Sequence, residues 1–149
     1  MVLYLPRDAV SVPVSRQVLD SCLETLGVTA DTRGDIALAL GEACANVIQH
    51  AGPGDEYEVL VSAKDCQCVI EVVNAASRDG GQLDGFALTG DRVPAAAEHG
   101  RGLQIIDAVA DNVQLTANKR HGTTVHFEKK LEWVPGAPGP HLFNASGVH

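Results

Sequence analysis

Glu42-Ala43-Cys44-Ala45-Asn46-Val47-Ile48-Gln49-His50 sets a carboxylate and an amide one helical turn apart inside an otherwise apolar stretch. At about 100° per residue, positions four apart share one face of a helix. Glu42, Asn46 and His50 therefore form a polar column beside an apolar stripe of Ile36, Leu40, Ala43 and Val47. An amphipathic helix with a solvated edge would look the same. The alternative is a site. An amide oxygen is a hard ligand suited to Mg2+, which keeps most of its waters and takes few protein ligands. A carboxylate one turn earlier can act as general base toward a hydroxyl or water.

Working outward, Thr29-Ala30-Asp31-Thr32 offers capping oxygens ahead of this helix, whose apolar period runs from Ile36 to about Ala51, where Gly52-Pro53-Gly54 stops it. An earlier helix is predicted over residues 13–26. Val14, Val18, Cys22 and Leu26 recur at four-residue spacing with Leu19 and Leu23 between them, and Gly27 stands at the C-cap. Val2 to Leu5, ended by Pro6, reads as an edge strand. Tyr57–Ala63 and Cys68–Asn74 are β-rich runs joined by a short polar connection, and Val113–Ala117 with Thr123–Glu128 make a closing hairpin. Residues 75–99 form a long connection of weak pattern, the kind that serves as a lid or binding loop. A helix opens at Gly100-Arg101-Gly102 and ends near Asp111-Asn112.

The order β, α, α, β, β, loop, α, β, β has too few helices between strands for a doubly wound parallel sheet. It fits an α+β two-layer sandwich, with helices on one face of a mixed, mostly antiparallel sheet. Residues 1–133 are expected to form a single domain and 134–149, with Pro135-Gly136-Ala137-Pro138-Gly139-Pro140, a disordered tail.

Eleven Lys and Arg against nineteen Asp and Glu give a net charge of −8, a field that repels nucleic acid and anionic membranes. No apolar run approaches the roughly 20 residues of a membrane span, and the first residues lack the basic start of a secretory signal. A cytoplasmic location is expected. Cys22, Cys44, Cys66 and Cys68 include no CxxC pair, so reduced core thiols are expected rather than a zinc site.

Gly100-Arg101-Gly102 stands directly before a predicted helix, where glycines let backbone amides approach a ligand and the unpaired first-turn N–H groups favour an anion. A lone GxG is weak evidence for a phosphate. Its place is informative, after a long connection and some way beyond the Glu42/Asn46 helix.

Three segments in this order and spacing carry a resemblance: Leu40 to Ala51, Glu98 to Ile106, and Gly122-Thr123-Thr124-Val125. They are similar to the N box, the second glycine box and the Gly-Thr pair of the last strand in the GHKL superfamily of ATPases and kinases. With Val12-Pro13-Val14-Ser15-Arg16, similar to the start of that family's first helix, the match covers roughly residues 2–131. The chain most resembles the stand-alone anti-sigma-factor serine/threonine kinases of bacteria.

The resemblance implies the Bergerat, or histidine-kinase-like ATPase, fold, with ATP and Mg2+ as cofactors. It implies transfer of the ATP γ-phosphate to a serine of an anti-anti-sigma (STAS) partner, direct binding of a sigma factor, and in many members a homodimer. Glu42 would be the general base and Asn46 the Mg2+ ligand. Gly100, Arg101, Gly102 and the amide of Leu103 would surround the phosphates, Thr123 or Thr124 would reach the adenine side, and residues 75–99 would be the lid. His50 reads either as a partner in the site or as a satisfied, partly buried histidine. The chain is too short to add the helical domain that presents a phosphoacceptor histidine, so histidine kinase activity is not expected.

The departure is at the first glycine box, where the family carries an Asp that accepts a hydrogen bond from the adenine amino group. This chain has Asn74 at the strand end, or Asp79-Gly80-Gly81 after a shift of five residues. An Asn oxygen still accepts, without charge assistance, at a cost on the order of 1 kcal/mol. A competing reading follows: a binding module of the same fold that captures a regulatory protein without nucleotide.

Overall fold

Two local signals fix the frame. Asp65 and Cys66 both take positive φ, 55° and 62°, the geometry of a two-residue hairpin turn whose twist matches the flanking strands. Gly27, at φ 91°, closes the first helix in the left-handed conformation, its N–H donating to Glu24 O and Leu23 O. The computed structural model describes residues 1–50, 56–74, 91–93, 100–118 and 122–145. The elements are β1 (Val2–Pro6), α1 (Ser11–Leu26), α2 (Ala30–His50), β2 (Glu56–Lys64), β3 (Gln67–Asn74), β4 (Asp91–Val93), α3 (Gly100–Val109), β5 (Asn112–Asn118), β6 (Gly122–Lys130) and α4 (Gly139–Ala145).

The strands form one sheet in the order β1-β2-β3-β6-β5-β4, and every described pairing is antiparallel. Tyr57, Val59, Ile70, Val72, Val125 and Phe127 alternate toward the helices and meet Leu40, Val47, Leu103 and Ile106, all at 0% exposure. This is the two-layer α+β sandwich the element order implied. The expected stripe of α2 is buried: Ile36, Leu40, Ala43 and Val47 all belong to the core. The helix starts earlier than its apolar period, at Ala30, because the Thr29 hydroxyl accepts from the Thr32 N–H at 3.4 Å and caps it there.

For α1 the expected stripe is turned the wrong way. Val14 and Val18 are 49% and 36% exposed and Cys22 is exposed, while Ser11, Ser15, Leu19 and Leu23 face inward. The serines tolerate burial because they are bonded. Ser11 Oγ meets Tyr57 OH at 2.6 Å, and Ser15 Oγ donates to Val12 O at 2.8 Å. Of the four free cysteines only Cys44 and Cys68 are core thiols, and Cys66 sits in the hairpin turn.

The expected tail also departs from expectation over residues 134–145. Val134 N–H donates to Gly27 O at 2.7 Å and Thr29 N–H to Glu132 O at 2.9 Å. A Cβ on Gly139 would lie within 2.7 Å of three Trp133 ring atoms, so the glycine lets the backbone lie on the indole. These contacts strap the chain across the α1–α2 junction, and no periodicity announces them. β4, within the stretch read as a patternless connection, pairs with β5 through Asp91↔Ala117 to Val93↔Leu115. The rest of residues 75–99, including the lid expectation, lies outside the described residues, as do residues 146–149.

Candidate functional site

The polar column of α2 emerges where α3 packs against it. Glu42 is half-buried and Asn46 is 5% exposed. Leu103 and Ile106 bury one side of α3 against the core, which brings the first turn of α3 over Glu42. A Cβ added at Gly102 would stand 3.2 Å from Glu42 Oε1, so glycine lets the α3 backbone rest on the carboxylate. Two motifs sixty residues apart in sequence are thereby adjacent, by the numbering of Glu42 and Gly102.

Asn46 supplies the most informative atom. Its Oδ1 is buried and has no hydrogen-bond partner among the described residues. An orphaned buried acceptor costs on the order of 1–3 kcal/mol and calls for an explanation such as an ion. An amide oxygen with a carboxylate one turn away suits Mg2+, whereas the α3 N-terminal amides opposite suit an anion.

At the far ends of the central strands Asn74 is 0% exposed and Thr123 3%. The β3–β6 register pairs Val73 with Thr124 and Val72 with Val125. Alternation therefore puts Asn74 and Thr123 side by side on the helix face, while half-buried Thr124 turns to the opposite face beside Val73. The two threonines thus lie on opposite faces of the sheet. Leu103 contributes its side chain to the core, so only its backbone faces the site region. Gly100 and Arg101 lie in the first turn of α3; the side chains of Arg101 and His50, and all of Asp79 and Gly81, lie outside the description.

Behind α2 a polar set ties three elements together. Ser15 Oγ lies 3.7 Å from Cys44 Sγ, and Ser11 bonds Tyr57. Burial pushes the Cys44 thiol up to about 11 and raises Tyr57 as well, so both stay neutral at ordinary pH. Arg16 of α1 lies over the α2 backbone at Gly41, where a Cβ would come within 3.2 Å of its Cδ. Sequence spacing gave no sign of that contact.

A second constellation occupies the opposite sheet face. His126 Nδ1 meets Glu71 Oε2 at 3.0 Å and its Nε2 meets Glu128 Oε2 at 2.8 Å. Glu71 is 2% exposed. The hydrogen bond to Glu71, with that to Glu128, raises the imidazole pKa above its ordinary value against the effect of burial. When protonated, the imidazolium donates at both ends, so each ring nitrogen has a carboxylate partner. Sequence reading missed it, because the facing of Glu71 and His126 follows only from the register.

A model of the histidine kinase-like ATPase domain family matches residues 5–129. The chain belongs to that family. It is 28% identical over 134 residues to a protein of Bacillus velezensis named serine-protein kinase RsbW, covering 85% of this chain and 82% of that one. A Bacillus pumilus protein of the same name is 29% identical over 138 residues, with 85% and 83% covered. Among solved structures, the RsbU and RsbW domains of a Mycobacterium tuberculosis protein superpose with a TM-score of 0.63 at 18% identity over 88% of this chain. That likeness is one of fold, and this chain spans 32% of the longer one. Among the described residues no helix is long and apolar enough to cross a membrane, and no group of three or more His, Cys, Asp or Glu is arranged to hold a metal ion.

Proposed function

We propose that this protein is an ATP-binding, anti-sigma-factor-type serine/threonine kinase that transfers the ATP γ-phosphate to a serine of an anti-anti-sigma (STAS) partner in the cytoplasm and so regulates a sigma factor. The observation that carries the reading is the meeting of Gly102 with Glu42 beside the unpartnered Asn46 Oδ1. Resemblance alone would leave these as separate motifs.

In this reading Glu42 Oε1 accepts the proton of the incoming serine hydroxyl, which makes that oxygen a better nucleophile toward the γ-phosphorus. The amides of Gly100, Arg101, Gly102 and Leu103 hold phosphate oxygens at the positive end of α3. Asn46 Oδ1 would hold Mg2+, which when bound offsets phosphate charge that Glu42 would otherwise repel. Asn74 and Thr123 would meet the adenine edge on the helix face, Asn74 through its amide oxygen.

One observation favours a second reading. Asn74, where the family it resembles carries a carboxylate, is wholly buried, and there the loss of charge assistance is felt most. A module that binds its protein partner without nucleotide would have the same fold.

Calorimetric titration with ATP, with and without Mg2+, separates the two. Mg-dependent binding that Asn46→Ala removes supports the kinase. Absence of binding in the natural chain with recovery in Asn74→Asp sinks it in favour of the nucleotide-free module.

A further inference from the structure

The strand ends assigned to the base hold two side chains that can each reverse their hydrogen-bonding sense. Asn74 and Thr123 are buried there on the helix face. A half-turn of an amide about its last bond exchanges N–H donors for an acceptor oxygen in nearly the same shape, and a hydroxyl donates or accepts as it rotates. Both residues already interact within the fold, but an amide has two donors and two acceptor lone pairs and can hold a further partner. Tyr57 stands directly across β2–β3 from Asn74. Val61 N–H and C=O both bond Met1, so by alternation the Tyr57 backbone also turns to β1. Tyr57 and Asn74 are therefore a non-hydrogen-bonded pair, the kind that brings side chains closest. The Tyr57 hydroxyl is engaged with Ser11 Oγ at 2.6 Å, and burial keeps it protonated. Val72 and Val125 continue the same buried face. None of these described neighbours carries a charge that would impose one sense on a base edge.

Building on the nucleotide reading above, we propose that the site accepts 6-oxopurine nucleoside triphosphates as well as ATP, and that Asn74 sets this breadth. Adenine presents an amino donor at carbon 6 and an acceptor at N1. A 6-oxopurine presents an acceptor oxygen at carbon 6 and an N–H donor at N1, the reverse pattern. An ionised Asp has acceptors only, so at this position it would bind the amino group and repel the oxo group. Asn74 meets the amino group with its oxygen and the oxo group with its N–H, and the Thr123 hydroxyl can turn with it. A buried site discriminates strongly when the wrong ligand leaves its polar groups unpaired, and here neither purine need do so. The phosphate end, with Glu42, Asn46 and the first turn of α3, is common to both nucleotides.

The test compares ATP with inosine triphosphate, which carries the oxo group without the 2-amino group of guanine and so reads the carbon-6 contact alone. Dissociation constants of both, with Mg2+, are measured by calorimetry on the full chain and on Asn74→Asp. In the natural chain inosine triphosphate should bind within about tenfold of ATP. In Asn74→Asp the preference for ATP should rise to about a hundredfold, the range of a charge-assisted hydrogen bond gained by one base and denied to the other. A merely structural role for Asn74 would weaken both nucleotides together and leave their ratio unchanged. Two results overturn the inference while the nucleotide site stands: ATP binding with inosine triphosphate more than tenfold weaker in the natural chain, or a ratio that Asn74→Asp does not move. Binding of neither nucleotide overturns the inference together with the kinase reading, so the two failures are told apart. Should Asn74→Asp not fold, the ratio in the natural chain decides alone.

Discussion

The two faces of the sheet carry two polar clusters that differ in one respect. On the face away from α2 the Glu71–His126–Glu128 set answers every ring nitrogen with a carboxylate oxygen, at 3.0 and 2.8 Å. On the helix face Asn46 Oδ1 is buried with no described partner, and Glu42 lies against a backbone kept clear by Gly102. A satisfied cluster is complete in the folded chain, and its members support one another. An unsatisfied one marks a place where stability is given up for something that arrives later. The contrast predicts opposite consequences when each cluster is dismantled.

The largest effect should come from Glu42→Ala. With nucleotide binding retained, phosphoryl transfer to a partner serine should fall about a thousandfold, the range of a lost general base, as measured by single-turnover assay; transfer at the natural rate would remove Glu42 from the role. Next, His126→Ala leaves buried Glu71 facing Glu128 without a cation. A loss of about 3 kcal/mol is expected in urea unfolding, and nucleotide affinity should hardly change. Asn46→Leu should do the reverse. It replaces an orphaned amide with a similar apolar volume, so stability should hold or rise by about 1 kcal/mol while Mg-dependent ATP binding is lost. A clear loss of stability would mean that Asn46 is structural, and the contrast between the faces would collapse.

The smallest effect is the pH dependence. Because the folded pKa of His126 is raised above 6.5, its contribution is fully present below 6.5 and is lost as pH rises through the folded value. The stability difference between the natural chain and His126→Gln should therefore narrow as pH rises above 6.5. A difference that widens with pH would mean that the imidazole is held neutral between its two carboxylates.

The same contrast explains what could be read from the residue pattern. The buried stripe of α2 was legible, because Ile36, Leu40, Ala43 and Val47 are apolar and also inward, though its first turn at Ala30 precedes that period. α1 was not, since hydropathy counts Val14 and Val18 and cannot see that Ser11 and Ser15 find hydrogen-bond partners indoors. The pairing of Glu42 with Gly102 was foreseen only through family resemblance; spacing along the chain carries no information about where α3 lies. Thr123 and Thr124 could be told apart only by strand alternation, which needs the register. The strap from Trp133 to α4 depends on two glycines, Gly27 and Gly139, whose missing side chains leave room for Ala137 and for the Trp133 ring, a fit with no periodic signature.

The Glu71–His126 pair also bears on how the sheet is assembled. β2–β3 and β5–β6 are hairpins that close locally, whereas the β3–β6 ladder joins them through residues 55 apart. A strand can slip along its neighbour, and a slip of one residue exchanges its two faces. Slippage of β6 by one position would send His126 toward Leu40 and Val47 and leave Glu71 opposite an apolar residue. The Glu71–His126 pair therefore serves as a register mark, since its hydrogen bond is made only in the observed alignment of β3 with β6.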